Sequence, residues 1–341
     1  MDVSRFQTLA ARFGELRIAL VGDFCLDRYF DIDFERQETS LETGLPVFNV
    51  TGARASAGGC GTILNNLVAL GIGELLPIGF AGNDAEGWLL TRLLQQKPGV
   101  NVQHFVQTDE RHTFTYMKPM ASNAPGGASE LNRMDVKNWS PTPEGVSENL
   151  AASVRTVGED VDAVIVLDQV DLPGTGVVTD GVLEAIETVQ TDRPELFVIA
   201  DSRSSLDRFP PVVFKMNRDE LARTAGPDAT RTSSLDDVRG QALQLARRNN
   251  RHVIVTLAEE GMLGASPTGE CAHVAALPVR GEIDVVGAGD AVTANLTAAF
   301  ATGGTLSEAL HAATAAASVV VHKRGMTGEA SVAEICELLP N

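Results

Sequence analysis

An alternation of unbroken apolar runs with stretches of helical spacing fills most of the chain, and it constrains the fold more than any other feature. Strands that are apolar throughout are buried on both faces, and helices between them connect parallel neighbours. The apolar runs predict strands at Arg17–Val21, Leu75–Phe80, Asn101–Gln107, Ala163–Leu167, Phe197–Ala200, Val212–Met216 and His252–Leu257. The helical stretches lie at Ile63–Leu70, Ala85–Gln95, Ser147–Val157, Val177–Val189, Leu235–Arg248, Ala288–Thr302 and Leu306–Val321. We therefore expect an α/β fold with a mostly parallel central sheet.

Two stretches interrupt this alternation and predict a small second sheet. Residues 29–50 and 111–136 carry short alternating runs, and Asn123–Gly127 has the composition of a turn. Because these stretches follow the first and third parallel strands, they project from the carboxyl edge of the main sheet, where α/β proteins bind ligands. We expect them to form a β-sheet lid inserted into a single domain that spans residues 1–341.

The charge balance and the cysteines narrow the function classes. The 341 residues include 27 Lys and Arg against 45 Asp and Glu, so the formal net charge is −18. An acidic chain repels phosphate backbones and anionic membranes, so we expect neither a nucleic-acid partner nor a membrane partner. The four cysteines form no CxxC pair and residues 1–10 show no signal peptide, which predicts a cytoplasmic protein with free thiols. A small phosphorylated substrate is still compatible with this acidic net charge, because a helix N-terminus and a few cations can bind phosphate locally.

The strongest chemical signal is the segment Asp284–Asp290, which leads directly into a predicted helix. Its glycines let a ligand approach the backbone, and the free N–H groups at a helix start favour an anion. Asp290 falls in the first turn, where its carboxylate can take the proton of an attacking hydroxyl. The pattern predicts phosphoryl transfer, with the backbone of Gly287, Ala288 and Gly289 holding the moving group. Taken alone, the motif is equally compatible with a plain helix start capped by an aspartate.

Four further segments carry glycine or acidic residues where a predicted strand ends or a predicted helix begins. They are Gly22–Asp27, Ala57–Thr62, Gly79–Gly87 and Asn217–Glu220. Together and in this order, these motifs resemble the PfkB/ribokinase family of carbohydrate kinases, from about Arg17 to Gly328. Three segments are similar to the kinase domain of bacterial heptose-phosphate kinases, namely Val21–Tyr29, Pro46–Val47 and Val319–Gly325.

The resemblance implies a ribokinase-like three-layer α/β/α fold and an ATP-dependent, Mg²⁺-dependent carbohydrate kinase. By this likeness, Asp290 is the catalytic base and Asp27 binds sugar hydroxyls. Gly58 and Gly59 form the diglycine against which the sugar lies. Thr62 stands where relatives usually carry a sugar-contacting Asn, so we expect an altered sugar selectivity.

On the nucleotide side, the resemblance implies a second set of residues. Asn217 and Glu220 match the element that organises Mg²⁺ through water. Thr256 and Gly261 match the nucleotide-binding strand and turn, and Thr314 stands near the adenine, where relatives often have Asn. In addition, Asp284 and the loop Gly325–Thr327 match the region that holds a monovalent cation in many relatives, so K⁺ is a candidate cofactor.

The identity of the substrate stays open at this point. Heptose-phosphate kinases tend to carry a lysine after the central strand, and the corresponding segment Asp168–Gly174 has none. The cations of the predicted lid are Arg36, Arg111, Lys118 and Arg133. Of these, Arg133 is the preferred candidate for binding a substrate phosphate, and solvated lid charges are the alternative.

Three hypotheses therefore remain, led by a kinase that acts on a sugar or a sugar phosphate. The alternatives are a non-catalytic sugar or nucleotide sensor of the same fold and a nucleoside kinase. We also expect a homodimer through the lid strands at Tyr29–Val50, because an exposed sheet edge with an apolar face is often covered by a second subunit.

Overall fold

Sixteen strands and ten α-helices occur in the computed structural model, which describes residues 1–121, 129–224, 234–323 and 328–340. The strands are β1 (Arg17–Gly22), β2 (Phe24–Ile32), β3 (Glu38–Thr39), β4 (Pro46–Val47), β5 (Val50–Gly59), β6 (Glu74–Gly82), β7 (Phe105–Thr108), β8 (Thr115–Ala121), β9 (Ser129–Glu130), β10 (Met134–Val136), β11 (Ala163–Asp168), β12 (Phe197–Ser202), β13 (Val213–Asn217), β14 (Val253–Thr256), β15 (Met262–Ala265) and β16 (Cys271–Val274). The helices are α1 (Val3–Ala10), α2 (Cys60–Leu70), α3 (Ala85–Gln95), α4 (Glu144–Gly158), α5 (Asp180–Asp192), α6 (Arg218–Thr224), α7 (Leu235–Asn249), α8 (Ala288–Ala301), α9 (Leu306–Val321) and α10 (Val332–Cys336).

The main sheet has the order β16-β15-β14-β13-β12-β11-β1-β6-β7, and seven of its strands run parallel. The last two, β15 and β16, are antiparallel to their neighbours. One face packs against α1, α2, α3, α8, α9 and α10, and the other against α4, α5 and α7. This arrangement confirms the predicted α/β/α layers. The strand order reverses between β1 and β11, so their carboxyl ends flank the crevice in which such sheets bind ligands.

Local side-chain contacts explain where the predicted elements were wrong. The strand predicted at Asn101–Gln107 begins only at Phe105, because the Asn101 side chain accepts a hydrogen bond from the Gln103 N–H and starts a 3₁₀ turn. The helix predicted from Val177 begins at Asp180, since Thr179 caps its first turn. The antiparallel strands β15 and β16 were not predicted from the sequence.

The smaller sheet has the order β10-β8-β2-β5, and β9 pairs with β8. Strand β2 runs antiparallel to β5 and parallel to β8. The pair β2–β5 extends beyond residues 29–50 on both sides, because only Asp23 separates β2 from β1 and because β5 continues to Gly59 at the start of α2. The predicted turn Asn123–Gly127 lies outside the described residues. Within the described ranges, no helix is long and apolar enough to cross a membrane.

Candidate active site

Alternate residues of β2, β5 and β8 place polar side chains on one face of the smaller sheet. Asp27 lies beside Ser56 on β5 and Tyr116 on β8. Its Oδ1 lies 2.8 Å from Lys118 Nζ, and the two side chains are only 9% and 14% exposed. A methyl group added at Gly58 would overlap Asp27 Oδ2, so the glycine makes room for the carboxylate.

At one end of this face, β5 passes directly into α2, and Gly59 is the N-cap residue of that helix. Gly59 has a left-handed backbone with φ of +59°, and a side chain there would overlap the Asp23 carbonyl oxygen. Thr62 is buried within α2, where its carbonyl oxygen accepts a hydrogen bond of 3.0 Å from Asn66 Nδ2. Asp23 is also buried, and its carboxylate accepts hydrogen bonds from backbone N–H groups that follow β11.

Each of the four lid cations that the sequence singled out has at least one partner within the chain. Arg133 makes two contacts with Asp135, of 2.7 and 2.9 Å, and its guanidinium lies 5.0 Å from the centre of the Tyr116 ring. The other partners are Asp33 for Arg36, Ser140 for Arg111 and Asp27 for Lys118.

Across the crevice, α8 begins at Ala288 with Gly287 as its N-cap residue, and the left-handed φ of +85° at Gly287 favours glycine. The Asp290 side chain lies in the first turn and keeps partial access to the crevice. No hydrogen bond joins its carboxylate to another residue of the described chain. Burial raises the pKa of Asp290 to about 7, while the Lys215 ammonium lowers it and the Asp201 carboxylate raises it further.

Lys215, which the sequence did not single out, supplies a buried positive charge beside α8. Its Nζ lies 2.5 Å from Asp201 Oδ2, and the side chains are 9% and 15% exposed. A Cβ added at Gly289 would lie 3.2 Å from the same Nζ. Burial lowers the pKa of Lys215, but the charge and hydrogen bond of Asp201 outweigh that effect and leave it raised. The available signal was a lysine inside the apolar run Val212–Met216.

A cavity of about 610 Å³ adjoins the start of α8. Much of its wall is apolar, from residues such as Leu257, Leu277 and Val292. The Thr314 hydroxyl is buried without a hydrogen-bond partner among the described residues, as expected of a group that a ligand satisfies. The sequence-predicted residues that line this cavity are Asn217, Thr256, Gly261, Ala288, Gly289 and Thr314.

The acidic residues predicted to serve cations, Glu220 and Asp284, are next in the chain to residues that line this cavity. Glu220 and Asn217 cap each other, because the Asn217 N–H donates to Glu220 Oε2 at 2.7 Å and the Glu220 N–H donates to Asn217 Oδ1 at 2.9 Å. Burial raises the pKa of Glu220, opposed by that hydrogen bond from Asn217. Asp284 Oδ1 accepts a hydrogen bond from the Val286 N–H, and the loop Gly325–Thr327 lies outside the described residues. Among the residues described, no three metal-ligating side chains cluster.

Comparison with known proteins gives three kinds of match. Residues 202–332 match the model of the pfkB family carbohydrate kinases. Over 327 residues the chain is 31% identical to the bifunctional protein HldE of Gluconacetobacter diazotrophicus, covering 95% of this chain and 63% of that protein. The bifunctional protein HldE of Rhodospirillum rubrum is also 31% identical over 327 residues, with 95% and 62% covered. The chain thus spans less than two thirds of the length of these curated relatives.

Solved structures share the fold over almost the whole chain. Arabidopsis thaliana ribokinase, complexed with ribose and ATP, matches with a TM-score of 0.64 at 19% identity and 96% coverage of both chains. Phosphofructokinase-2 from Escherichia coli, in complex with substrates and products, matches with a TM-score of 0.70 at 21% identity, covering 95% of this chain and 98% of that chain. The ribokinase-like fold expected from the sequence is confirmed.

Proposed function

We propose that this chain, whose residues 202–332 match the pfkB family of carbohydrate kinases, transfers the γ-phosphoryl group of ATP to a hydroxyl of a sugar or sugar phosphate. The observation that carries the proposal is the position of Asp290 in the first turn of α8, the helix whose start adjoins a cavity of about 610 Å³. Its only partly exposed carboxylate has a pKa raised to about 7 by burial, which suits a group that must accept a proton near neutral pH.

In this proposal the acceptor lies against Gly58 and Gly59, and Asp27 accepts a hydrogen bond from one of its hydroxyls. The acceptor oxygen forms a bond to the γ-phosphorus as the bond from that phosphorus to the ADP oxygen breaks. The hydroxyl proton passes to the Asp290 carboxylate. The backbone N–H groups at the start of α8 stabilise the charge that develops on the phosphoryl oxygens.

We assign a further part of that stabilisation to Lys215. Its ammonium lies beside Gly289 and is held there by Asp201, so the positive charge is in place before the reaction. A fixed charge in a site with little water costs no reorganisation during phosphoryl transfer. The same ammonium lowers the pKa of Asp290 and so keeps more of the base ionised at neutral pH.

The residues also fit the cations that the family implies. The Glu220 carboxylate and the Asn217 amide offer oxygen atoms that can organise Mg²⁺ through water, which suits an ion that keeps several waters when it binds phosphates. Bound with ATP, Mg²⁺ neutralises phosphate charge. We keep Asp284 as the candidate ligand of a monovalent cation such as K⁺.

ADP release from Mg-ATP, measured across a panel of acceptors, tests this function. The panel holds ribose, fructose, fructose 6-phosphate, a heptose 7-phosphate and nucleosides. Turnover with a sugar or a sugar phosphate supports the proposal, and turnover confined to phosphorylated sugars assigns the acceptor to that class. Turnover with nucleosides alone favours the nucleoside-kinase alternative. ATP binding without turnover on any compound contradicts the proposal and favours a sensor.

Gly58→Ala is expected to raise KM for the acceptor by about 10- to 100-fold, with KM for ATP nearly unchanged. The added methyl displaces the Asp27 carboxylate, and a lost hydrogen bond to a charged group is worth about 1.5–3 kcal/mol. Steady-state kinetics with both substrates varied measures the two constants. Gly145→Ala is the matched control, because a Cβ at Gly145 meets no atom within 4 Å. An unchanged acceptor KM in Gly58→Ala contradicts the placement of the acceptor against Asp27.

We further propose a homodimer through the smaller sheet. The segment that links β2 to β5 exposes apolar side chains at Leu41, Leu45 and Phe48, as does Val50 at the start of β5, and a second copy would cover them. Light scattering is expected to give twice the mass of one chain, and Leu41→Glu with Leu45→Glu is expected to return the mass of one chain. A wild-type mass of 36.1 kDa at working concentration contradicts the dimer.

A further inference from the structure

The Ser56 hydroxyl is a polar group that the fold leaves unsatisfied. Ser56 lies on β5 in register with Asp27 on β2, so their side chains share one face of the smaller sheet. Its Oγ is buried and has no hydrogen-bond partner within the described part of the chain. A buried hydroxyl without a partner costs free energy, and such a group at a crevice is typically satisfied when a ligand binds.

Lys118 flanks Asp27 from the opposite strand and also keeps unused hydrogen-bonding capacity. An ammonium group has three donors. One reaches Asp27 Oδ1 at 2.8 Å, and the contact with Tyr29 Oη is long, at 3.4 Å. The Tyr29 ring lies 4.9 Å from Nζ and limits where the ammonium can move.

The carboxylate between these two side chains is only partly used. Lys118 occupies Asp27 Oδ1, while Oδ2 lies over Gly58. One face of three adjacent strands therefore offers a hydroxyl, a carboxylate oxygen and ammonium N–H groups, with Lys118 two residues beyond Tyr116, the β8 neighbour of Asp27. Two adjacent hydroxyls on a ligand need this alternation, because each hydroxyl both donates and accepts.

We infer that Ser56 and Lys118 are acceptor-binding residues that flank Asp27 and select a vicinal diol. Asp27 Oδ2 accepts from one hydroxyl, and Ser56 Oγ and Lys118 Nζ bind the oxygens beside it. The inference rests on the proposed kinase function and assigns residues to its acceptor site.

The alternative is that the Lys118–Asp27 ion pair only supports the smaller sheet. If the pair only supports the sheet, its removal lowers the stability of the protein or displaces Asp27. The resulting rise in acceptor KM would then be the same whichever hydroxyls the acceptor carries. If the side chain contacts the acceptor directly, the rise in acceptor KM depends on the presence of one particular hydroxyl. The two roles are therefore separated by pairing side-chain deletions with deoxy acceptors.

The experiment uses Ser56→Ala and Lys118→Met with the panel compound of highest kcat/KM and its monodeoxy analogues. We expect acceptor KM to rise about 3- to 10-fold in Ser56→Ala and about 10- to 100-fold in Lys118→Met, as for neutral and charged hydrogen bonds. KM for ATP should stay within about two-fold. With the analogue lacking the contacted hydroxyl, variant and wild type should have equal KM.

Matched controls come from the same region. Thr51→Ala removes a β5 hydroxyl that is already bonded to the Asp31 carbonyl oxygen, and Lys137→Met removes a lysine paired with Asp171. Both should leave acceptor KM unchanged. Thermal melting monitors the fold. If Lys118→Met does not fold, the comparison of Ser56→Ala with wild type across the deoxy analogues tests the inference by itself.

Two failures are distinguishable. If wild type turns over an acceptor but Ser56→Ala leaves its KM unchanged, or the loss is the same with every deoxy analogue, the inference is overturned while the kinase function stands. If wild type turns over no compound of the panel, the proposed function fails, and the assignment of an acceptor site falls with it.

Discussion

Asp290→Asn is expected to lower kcat by about 10²- to 10⁴-fold, the usual contribution of a positioned general base. The amide keeps the shape of the side chain but cannot take the hydroxyl proton. ATP affinity should hold or improve slightly, because the substitution removes a negative charge at the helix start that we propose binds phosphate. Single-turnover kinetics and titration with a fluorescent ATP analogue measure the two quantities.

The pH dependence gives a second signature of the same residue. Since burial raises the pKa of Asp290 to about 7, kcat/KM in the wild type should rise with pH up to about 7 and level off above it. The pH profile of Asp290→Asn should lack this rise, which is the acid limb of the wild-type profile. Asp219→Asn, which changes another acidic residue at the cavity that adjoins α8, is the control and should keep the wild-type profile. Full turnover in Asp290→Asn excludes this residue as the base.

Lys215→Met is expected to lower kcat by about 10²- to 10³-fold, as the loss of one oxyanion-hole donor does in other enzymes. It should also move the acid limb of the pH profile to higher pH, because Lys215 lowers the pKa of Asp290. Asp201→Asn should move the limb in the opposite direction, since the Asp201 carboxylate raises that pKa. Stopped-flow or steady-state kinetics at several pH values measure both effects.

A stability control is needed because Lys215→Met leaves the Asp201 carboxylate buried without its partner. Removing one member of a buried ion pair costs about 3–5 kcal/mol in the free energy of unfolding. The double variant Lys215→Met with Asp201→Asn should recover part of that stability and still turn over slowly. If the double variant regains wild-type kcat, Lys215 has only a structural role.

Periodicity and motif order were sufficient to predict the architecture. Unbroken apolar runs mark strands buried on both faces, and the glycines before Asp290 mark a helix start open to an anion. The ends of elements were less predictable, because they depend on single side chains. Thr179 and Asn101 decide where α5 and β7 begin, and neither contributes to the periodic pattern.

The partners of the candidate site residues could not be predicted from the sequence. Lys215 reaches Asp201 only because β12 and β13 are parallel neighbours. Ser56 and Lys118 meet Asp27 through strand pairings across more than 25 and 90 residues of chain. Register across a sheet follows from packing of the whole domain, so these contacts appear only once the strands are assembled.

The division of the candidate site between two sheets has a consequence for how this protein can change over evolution. In the proposed function, the groups that handle the phosphoryl lie on the main sheet and α8, whereas those that hold the acceptor lie on the smaller sheet. The chain crosses from β1 to β2 through the single residue Asp23 and returns from β5 to α2 at Gly59, and both crossings are tightly packed. Substitutions on the smaller sheet beyond these crossings can therefore alter acceptor preference while the transfer chemistry stays intact. A change in acceptor specificity therefore requires no substitution among the groups that we propose transfer the phosphoryl.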